Sequence, residues 1–498
     1  VRAYVGSAGF WNERIQGQND GVQMRRQPGS TLKPFTYARA LASRRYTPAS
    51  ILADIELQGP DVGGAFSPTN YDDTYHGPVP LREALASSYN VPAVRLTREM
   101  GASTLLQTLH DAGFSSLQKP ADYYGAGLTL GNGAVQLLEL ARAYAGLARG
   151  GSLPSLRRIR WARTAQGDTL RPALPRPEPM SLPPAAISLV TDILSDPEAR
   201  APAFGRGGPL EFSFPVAAKT GTSKDYRDNW TVGYTPEHTV AVWVGNFDGA
   251  PMRQISGVTG AGPLFHSIMQ HLGPGGQFAL PDGVKRVRVC PASGKRPGAL
   301  CPTSRREPML IGTAPTDTCS VHRRVPVDTR TNTRADSTTP ARYVEHRRYT
   351  VYPERFHPWM RAHDRPLPPP RRSTSPPVQA DAPPDSTRRR SDRLQVQYPA
   401  DGTRYLTDPV LRTSHQRIHL RGTAPSSWQN VHWRVDGRRL PGDYRSATWR
   451  LRPGTHTLAL WARTSSGTRR VRSRRATITV LDASEAPPPA KTASHSSP

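Results

Sequence analysis

Leu32, Phe35, Ala38 and Leu41 recur at helical spacing and predict a helix from Ser30 to about Ser43, with Pro34 tolerable only in its first turn. Residues 79–85 and 91–100 predict two more helices, the second closed by Gly101. Residues 136–145, ended by Gly150-Gly151, and residues 185–195 predict another two. The period then changes. Residues 212–218, 229–234 and 239–245 read as strands, the last two joined as a hairpin through Thr235-Pro236-Glu237-His238. Helices first and a meander of strands later predict an α+β domain over residues 1–275. Its opening, Val1-Arg2-Ala3-Tyr4-Val5-Gly6, reads as a strand already under way, so the expectation is that an upstream segment precedes it.

Periodicity fades between residues 276 and 394, which read as an irregular cysteine-containing extension followed by a linker rich in proline and arginine. Alternation returns over residues 395–482. Val431-His432-Trp433-Arg434-Val435 ends at Asp436-Gly437, residues 455–462 follow Pro453-Gly454, and Ala476-Thr477-Ile478-Thr479-Val480 closes the series. Short strands punctuated in this way predict a small antiparallel β-sandwich. Residues 483–498 read as a disordered tail.

With 66 Lys and Arg against 39 Asp and Glu among 498 residues, the chain carries a formal charge of +27, which favours anionic partners. The arginines are spread over every segment and no zinc-finger, helix-turn-helix or ribonucleoprotein pattern accompanies them, so nucleic acid is not expected and an anionic envelope polymer or membrane face is. No run of eighteen apolar residues is present to span a membrane. The three cysteines, Cys290, Cys301 and Cys319, with His322 include a Cys-x-x-His pair, a possible zinc ligand set. Their spacing is irregular for zinc modules, so the expectation is one disulfide with a free thiol, or three reduced thiols, and no metal or cofactor.

Three short boxes carry the chemistry: Ser30-Thr31-Leu32-Lys33, Ser88-Tyr89-Asn90 and Lys219-Thr220-Gly221. Only seven lysines occur in the chain and two of them fall in these boxes, although arginine supplies nearly all other positive charge. Arginine cannot release its proton, whereas a buried lysine can be tuned into a base, so lysine here reads as chosen for chemistry. Ser30 and Lys33, one helical turn apart, would set an amine beside a hydroxyl at the positive end of a helix dipole. Lys219 would be the second cation that lowers the pKa of Lys33. Ser88 would relay the proton to a leaving amine and Asn90 would hold Lys33 or a substrate amide. The run Lys219-Thr220-Gly221-Thr222-Ser223 reads as an edge strand along which a peptide can pair, with Lys219, Thr220 and Thr222 suited to a carboxylate. The backbone N–H groups of Ser30 and Thr222 would form an oxyanion hole, worth about 3 kcal/mol per donor in a dry site.

S-x-x-K followed by an S-x-N box and K-T-G is the signature of penicillin-binding proteins and class A β-lactamases. Further stretches widen the match: Gln27-Pro28-Gly29 before the first box, Val91-Pro92-Ala93-Val94 after the second, then Arg227-Asp228-Asn229-Trp230, Gly233-Tyr234-Thr235-Pro236, Val242-Trp243-Val244-Gly245-Asn246 and Gly257-Val258-Thr259-Gly260-Ala261. Residues 1–275 thus resemble the transpeptidase domain of class A penicillin-binding proteins, and with the carboxy-terminal strands they look like the 1C type. The resemblance implies a serine β-lactamase-like fold with an antiparallel sheet and a helical subdomain, and an all-β, immunoglobulin-like domain at the carboxyl end. It implies catalytic Ser30, Lys33, Ser88, Asn90 and Lys219, substrate-binding Thr220, Gly221, Thr222 and Ser223, and covalent inhibition by β-lactams. The reaction implied is attack on the D-alanyl-D-alanine end of a peptidoglycan stem peptide, with transfer to an amine of a neighbouring stem. The setting implied is the periplasmic side of the bacterial inner membrane, beside other envelope proteins, with membrane association only through an upstream anchor. A bifunctional member carries that anchor and a glycosyltransferase domain ahead of the transpeptidase, so neither these nor a first strand of the central sheet is expected within this sequence.

Two other readings make different predictions. A class A β-lactamase needs a glutamate to activate water. Glu99 and Glu139, both in predicted helices between the second and third boxes, lack the expected context. Alternatively, the chain is an inert peptidoglycan-binding or scaffold module.

Overall fold

The computed structural model describes residues 1–57, 68–157, 159, 161–173, 176–223, 226–252, 255–370, 394–399, 401–406, 417–425, 428–444, 447–464 and 470–481. The later part of the predicted linker and the predicted tail lie outside them. The chain divides into two compact units, Val1–Glu56 with Thr69–Ser373, and Leu57–Pro68 with Thr374–Pro498.

In the first unit a 3-10 turn, Gly29–Leu32, runs directly into α1 (Lys33–Ala42). Pro34 falls in the first turn, where its missing N–H costs nothing. Apolar side chains surround α1, which is what makes a helix central rather than peripheral. Phe35, Tyr37, Ala38, Ala40 and Leu41 are fully enclosed. Lys33 is enclosed with them, a charged residue type at the start of an apolar helix. β1 (Ile51–Asp54) pairs antiparallel with β2 (Gly77–Pro80). The predicted helix from residue 79 therefore begins later, as α2 (Leu81–Ala86), because the residue before a proline is biased to extended backbone and Gly77-Pro78-Val79-Pro80 imposes that twice. α3 (Asn90–Met100) ends at Gly101 as the sequence predicts. α4 (Ala102–Asp111), α5 (Ala121–Tyr124) and α6 (Leu137–Ala148) follow. Short ribbons join β3 (Ser152–Leu153) to β6 (Glu178–Pro179) and β4 (Ala162–Arg163) to β5 (Thr169–Leu170).

After α7 (Pro184–Leu194) and α8 (Pro197–Phe204) come β7 (Ala217–Thr222), β8 (Asp228–Tyr234) and β9 (Thr239–Gly245), an antiparallel sheet in that order. Residues 212–216 are not strand. Pro215 interrupts them, and Phe212 instead stacks on His266 of α9 (Ala261–Leu272), so the strand starts at Ala217, opposite the end of β8 at Tyr234. The opening residues also depart from expectation. No strand is assigned over residues 1–6, and Val1, Tyr4 and Val5 are exposed, since none of the described strands pairs with them.

Residues 284–362 are more ordered than their composition suggests. β10 (Val284–Val289) pairs with β11 (Arg305–Leu310), and β12 (His322–Asp328) lies between β13 (Thr333–Arg334) and β14 (Val344–Thr350), ahead of α10 (His357–Ala362). Buried Arg82 of α2 ties this extension to the helices: its Nε donates to Glu307 of β11 at 2.6 Å and its Nη1 to Asp196 at 3.1 Å.

In the second unit β15 (Gln395–Tyr398) pairs with β18 (Arg421–Thr423), and β17 (Arg417–His419) with β21 (Thr448–Arg450). A larger sheet orders β16 (Arg404–Leu406), β24 (Ala476–Leu481), β22 (Gly454–Arg463), β19 (Gln429–Val435) and β20 (Arg438–Arg439), with β23 (Arg470–Arg472) beside β22. Trp433, Leu458, Leu460 and Ile478 are buried in one apolar core. The predicted all-antiparallel arrangement fails at one edge, where β16 runs parallel to β24.

Candidate active site

The turn that carries Ser30 is wedged between two backbones. Gly29 has φ +57°, and a Cβ there would lie 2.7 Å from the backbone N and O of Thr222. A Cβ on Gly221 would lie 2.1 Å from Pro28 O, so only glycine at both places lets the turn and β7 touch. Trp230 Nε1 donates to Gln27 O at 2.8 Å, and the Tyr144 hydroxyl donates to Thr31 O at 2.7 Å. Both aromatic residues are enclosed and brace the turn from below. The 3-10 turn leaves Ser30 half-buried and one turn ahead of Lys33, whose backbone N–H donates to Ser30 O.

Ser88 sits where α2 stops. Its N–H donates to Leu85 O at 3.1 Å and the Tyr89 N–H to Ala84 O at 3.0 Å, a helix end in which the intervening residue takes left-handed backbone. That residue is Ser88, at φ +62°, where glycine is the usual occupant. A strained residue at such a position points to a demand on its side chain. The bend turns the carbonyl and hydroxyl of Ser88 towards α1.

Lys33 Nζ donates to Ser88 O at 2.5 Å and to Asn90 Oδ1 at 2.7 Å, and lies 3.3 Å from Ser88 Oγ. Lys219 Nζ donates to the same Oγ at 2.7 Å and to Thr220 O at 3.0 Å. One hydroxyl thus sits between two buried amines. Burial, then the charge of Lys219, pushes the Lys33 amine well below the ordinary lysine range. Burial, then the charge of Arg200, brings Lys219 down to about 7. Arg200 of α8 is itself buried, donating to the carbonyls of Leu194 and Leu210.

A second set of residues holds Asn90. Its N–H donates to Asn70 Oδ1 at 2.7 Å and its Nδ2 to Thr69 O at 2.8 Å. The Asn70 amide donates to both carboxylate oxygens of buried Asp54, at 2.9 and 2.7 Å. Asp54 also accepts from the His76 N–H at 2.9 Å and contacts His76 Nδ1 at 2.6 Å, and the His76 ring stacks on Tyr89 at 3.9 Å.

The structure therefore gathers Lys33, Ser88, Asn90 and Lys219 and puts Ser30 one turn ahead of Lys33, next to Gly29, which abuts the Thr222 backbone. Thr220 and Thr222 project from the other face of β7, as strand alternation requires, and Thr222 Oγ1 accepts the Gly257 N–H at 3.0 Å. Ser223 does not join the group: it is buried, and its hydroxyl donates to Asp228 at 3.0 Å. Neither candidate hydrolytic glutamate is free. Glu99 accepts from the Tyr46 hydroxyl, and Glu139 accepts from Ser115 Oγ at 2.6 Å, Ser116 N at 2.9 Å and Gln136 N at 3.1 Å as part of a capping box. Asp54, Asn70, His76 and Arg200 belong to no box, and no spacing in the sequence singles them out. Among the described residues one group has metal-binding geometry, Cys290, Cys301, Cys319 and His322 in the extension.

Residues 1–270 match the family described as the penicillin binding protein transpeptidase domain, residues 280–324 the C-terminal domain of penicillin-binding protein 1A, and residues 383–468 the penicillin-binding protein C-terminus family. Penicillin-binding protein 1C of Escherichia coli is 32% identical over 268 residues, 54% of this chain and 32% of that protein. Penicillin-binding protein 1A of Neisseria meningitidis is 31% identical over 296 residues, 57% of this chain and 36% of that protein. The chain thus spans about a third of the length of these relatives. The crystal structure of penicillin-binding protein 1A from Haemophilus influenzae shares the fold, with a TM-score of 0.51 at 24% identity over 61% of this chain and 51% of that one. With the transpeptidase match covering more than half of its residues, this chain belongs to the penicillin-binding protein transpeptidase family.

Proposed function

We propose that the chain is a serine D,D-transpeptidase that cross-links peptidoglycan stem peptides through an acyl-enzyme on Ser30. The observation that carries this is the setting of Lys33, a buried amine held by Ser88 O and Asn90 Oδ1 with Ser88 Oγ at 3.3 Å. Burial, then the charge of Lys219, favours its neutral form, and a neutral amine that donates its two N–H bonds to Ser88 O and Asn90 Oδ1 keeps a lone pair to accept a proton. Ser30 Oγ attacks the penultimate D-alanyl carbonyl and its proton passes to Lys33 Nζ. The amide C–N bond then breaks, and the proton reaches the departing D-alanine amine through Ser88, whose hydroxyl touches both lysines. An amine of a second stem reverses these steps and takes the acyl group. A β-lactam acylates the same hydroxyl.

The tetrahedral oxyanion is met by the N–H groups of Ser30, in the first turn of a helix where donors lack intrahelical partners, and Thr222, whose backbone abuts that turn. The donor peptide lies along β7, which has a strand partner on one side only among the described residues, so side chains from both of its faces can reach a ligand at the edge. Lys219, Thr220 and Thr222 take its terminal carboxylate there, and Gly221 leaves room for its backbone. The engagement of Ser223 with Asp228 leaves it a supporting role in the turn that follows. We read the second unit as an immunoglobulin-like sandwich that recruits envelope proteins, and the whole as working on the periplasmic side of the inner membrane.

Incubation with a fluorescent penicillin, followed by intact mass on the parent chain and on Ser30→Ala, tests this. A lasting adduct on the parent and none on the variant is expected. Rapid turnover of the penicillin would mark a hydrolase instead, and an unmodified parent would mark an inert scaffold.

A further inference from the structure

Cys290, Cys301, Cys319 and His322 are separated by up to 32 positions, yet their three sulfurs and one imidazole nitrogen all lie within 4.8 Å of one another. Cys290 Sγ is 3.6 Å and Cys319 Sγ 3.4 Å from His322 Nδ1. A tetrahedral zinc with Zn–S of about 2.3 Å and Zn–N of about 2.05 Å sets its ligands about 3.6 Å (S to N) and about 3.8 Å (S to S) apart. The two S to N distances match these values, and every pair of ligand atoms lies within 4.8 Å. All three cysteines are free, so the disulfide weighed from the sequence does not form.

Each ligand sits on backbone that is already fixed. Cys290 follows β10 in a tight turn in which its carbonyl accepts from Ser293 N at 3.2 Å and Gly294 N at 2.9 Å, while its N–H donates to Lys295 O at 2.8 Å. Gly294 has φ +68°, and a Cβ there would lie 2.3 Å from Ala49 O, so the turn is pressed against the segment that leads into β1. The Cys301 N–H donates to Gly298 O at 3.0 Å, and its sulfur accepts the Gly298 N–H at 3.3 Å. The Cys319 N–H donates to Arg296 O at 2.8 Å, and His322 is the first residue of β12. Three pieces of chain, the last carrying both Cys319 and His322, therefore bring four ligands to one point, which an irregular spacing in sequence conceals.

We propose that these four residues bind a zinc ion that clasps the β10–β11 hairpin to the start of β12. Three thiolates and one imidazole are the ligand set of closed, structural zinc sites, and zinc displaces the thiol protons as it binds. Among the described residues the apolar cluster beside the Cys290 turn is small, Ala49, Val289 and Met309 with half-buried Val287, so a metal there would add much to what holds the turn in place. The role is independent of the Ser30 chemistry.

Elemental analysis of the purified 498-residue chain is the test, read as zinc per polypeptide before and after dialysis against a weak chelator. One zinc per chain, retained, is expected. Cobalt in its place should give the visible bands of tetrahedral thiolate coordination. Cys301→Ser and His322→Gln should each weaken retention by about 10-fold or more. The parent protein alone suffices to overturn the proposal. Metal-free chain with three thiols that react equally with and without added zinc, or an intact mass lacking the two hydrogens of a disulfide, would do so.

Discussion

Replacing Lys219 with methionine removes one positive charge from beside Lys33 while keeping the site filled with a chain of similar length. Both amines touch Ser88 Oγ, at 3.3 and 2.7 Å, so their nitrogens lie no more than about 6 Å apart. At an effective dielectric of about 20, two unit charges about 6 Å apart repel by about 3 kcal/mol, or about 2 pKa units. Burial is the larger of the two effects that depress Lys33, and it persists in the variant. The Lys33 pKa should therefore rise in Lys219→Met without returning to the ordinary lysine value. If Lys33 is the base, acylation fails once it is protonated, so the acid limb of the pH profile reports its pKa. The assay is the second-order rate of acylation by a fluorescent penicillin, measured across the acid and neutral range for both proteins. The variant should be slower throughout, since Ser88 loses a donor, and its acid limb should move to higher pH. A limb that stays in place, or moves to lower pH, would refute the coupling of the two amines through one pocket.

The same residue has a signature in stability. Its folded pKa of about 7 lies below the ordinary 10.5, so the unfolded chain binds more protons across that window and stability falls as pH drops towards 7, by up to about 1.4 kcal/mol per unit. Lys219→Met should thus be more stable than the parent near neutrality, with an advantage that shrinks as pH rises; denaturant midpoints at two pH values check this, and a constant difference would contradict it. Asn70→Ala strips two donors from buried Asp54 and uncaps the Asn90 N–H, at a cost of about 3 kcal/mol, together with slower acylation as Asn90 loosens its hold on Lys33. A loss below about 1 kcal/mol in urea unfolding would show that Asp54 and Asn70 do not support the site.

The sequence carried the elements whose pattern is local. α3 and the β8–β9 hairpin lie within one residue of the positions their periodicity and turn residues indicate, α1 starts three residues after the predicted Ser30 because a 3-10 turn precedes it, and Lys33, Ser88, Asn90 and Lys219 of the three boxes meet. What escaped depends on contacts distant in sequence. Asp54 looks like any strand-end carboxylate until Asn70 and His76 fold over it. Arg200, one arginine among many, gains meaning only from its enclosure near Lys219. Strands β10 to β14 were hidden by arginine and proline, because a small sheet with little core to cover alternates weakly. Val1-Arg2-Ala3-Tyr4-Val5-Gly6 shows the converse: alternation without a neighbouring strand makes no sheet.

Two serines compete for the role of nucleophile in this pocket, and only their surroundings separate them. Ser88 Oγ is held by Lys219 and sits at a strained helix end, whereas Ser30 is half-buried one turn ahead of Lys33 and follows Gly29, which abuts the Thr222 backbone. Proteolytic mapping of the penicillin adduct by tandem mass spectrometry decides between them. The label should fall on the peptide containing Ser30 and at that residue; a label at Ser88, or at any residue outside this pocket, would contradict the account.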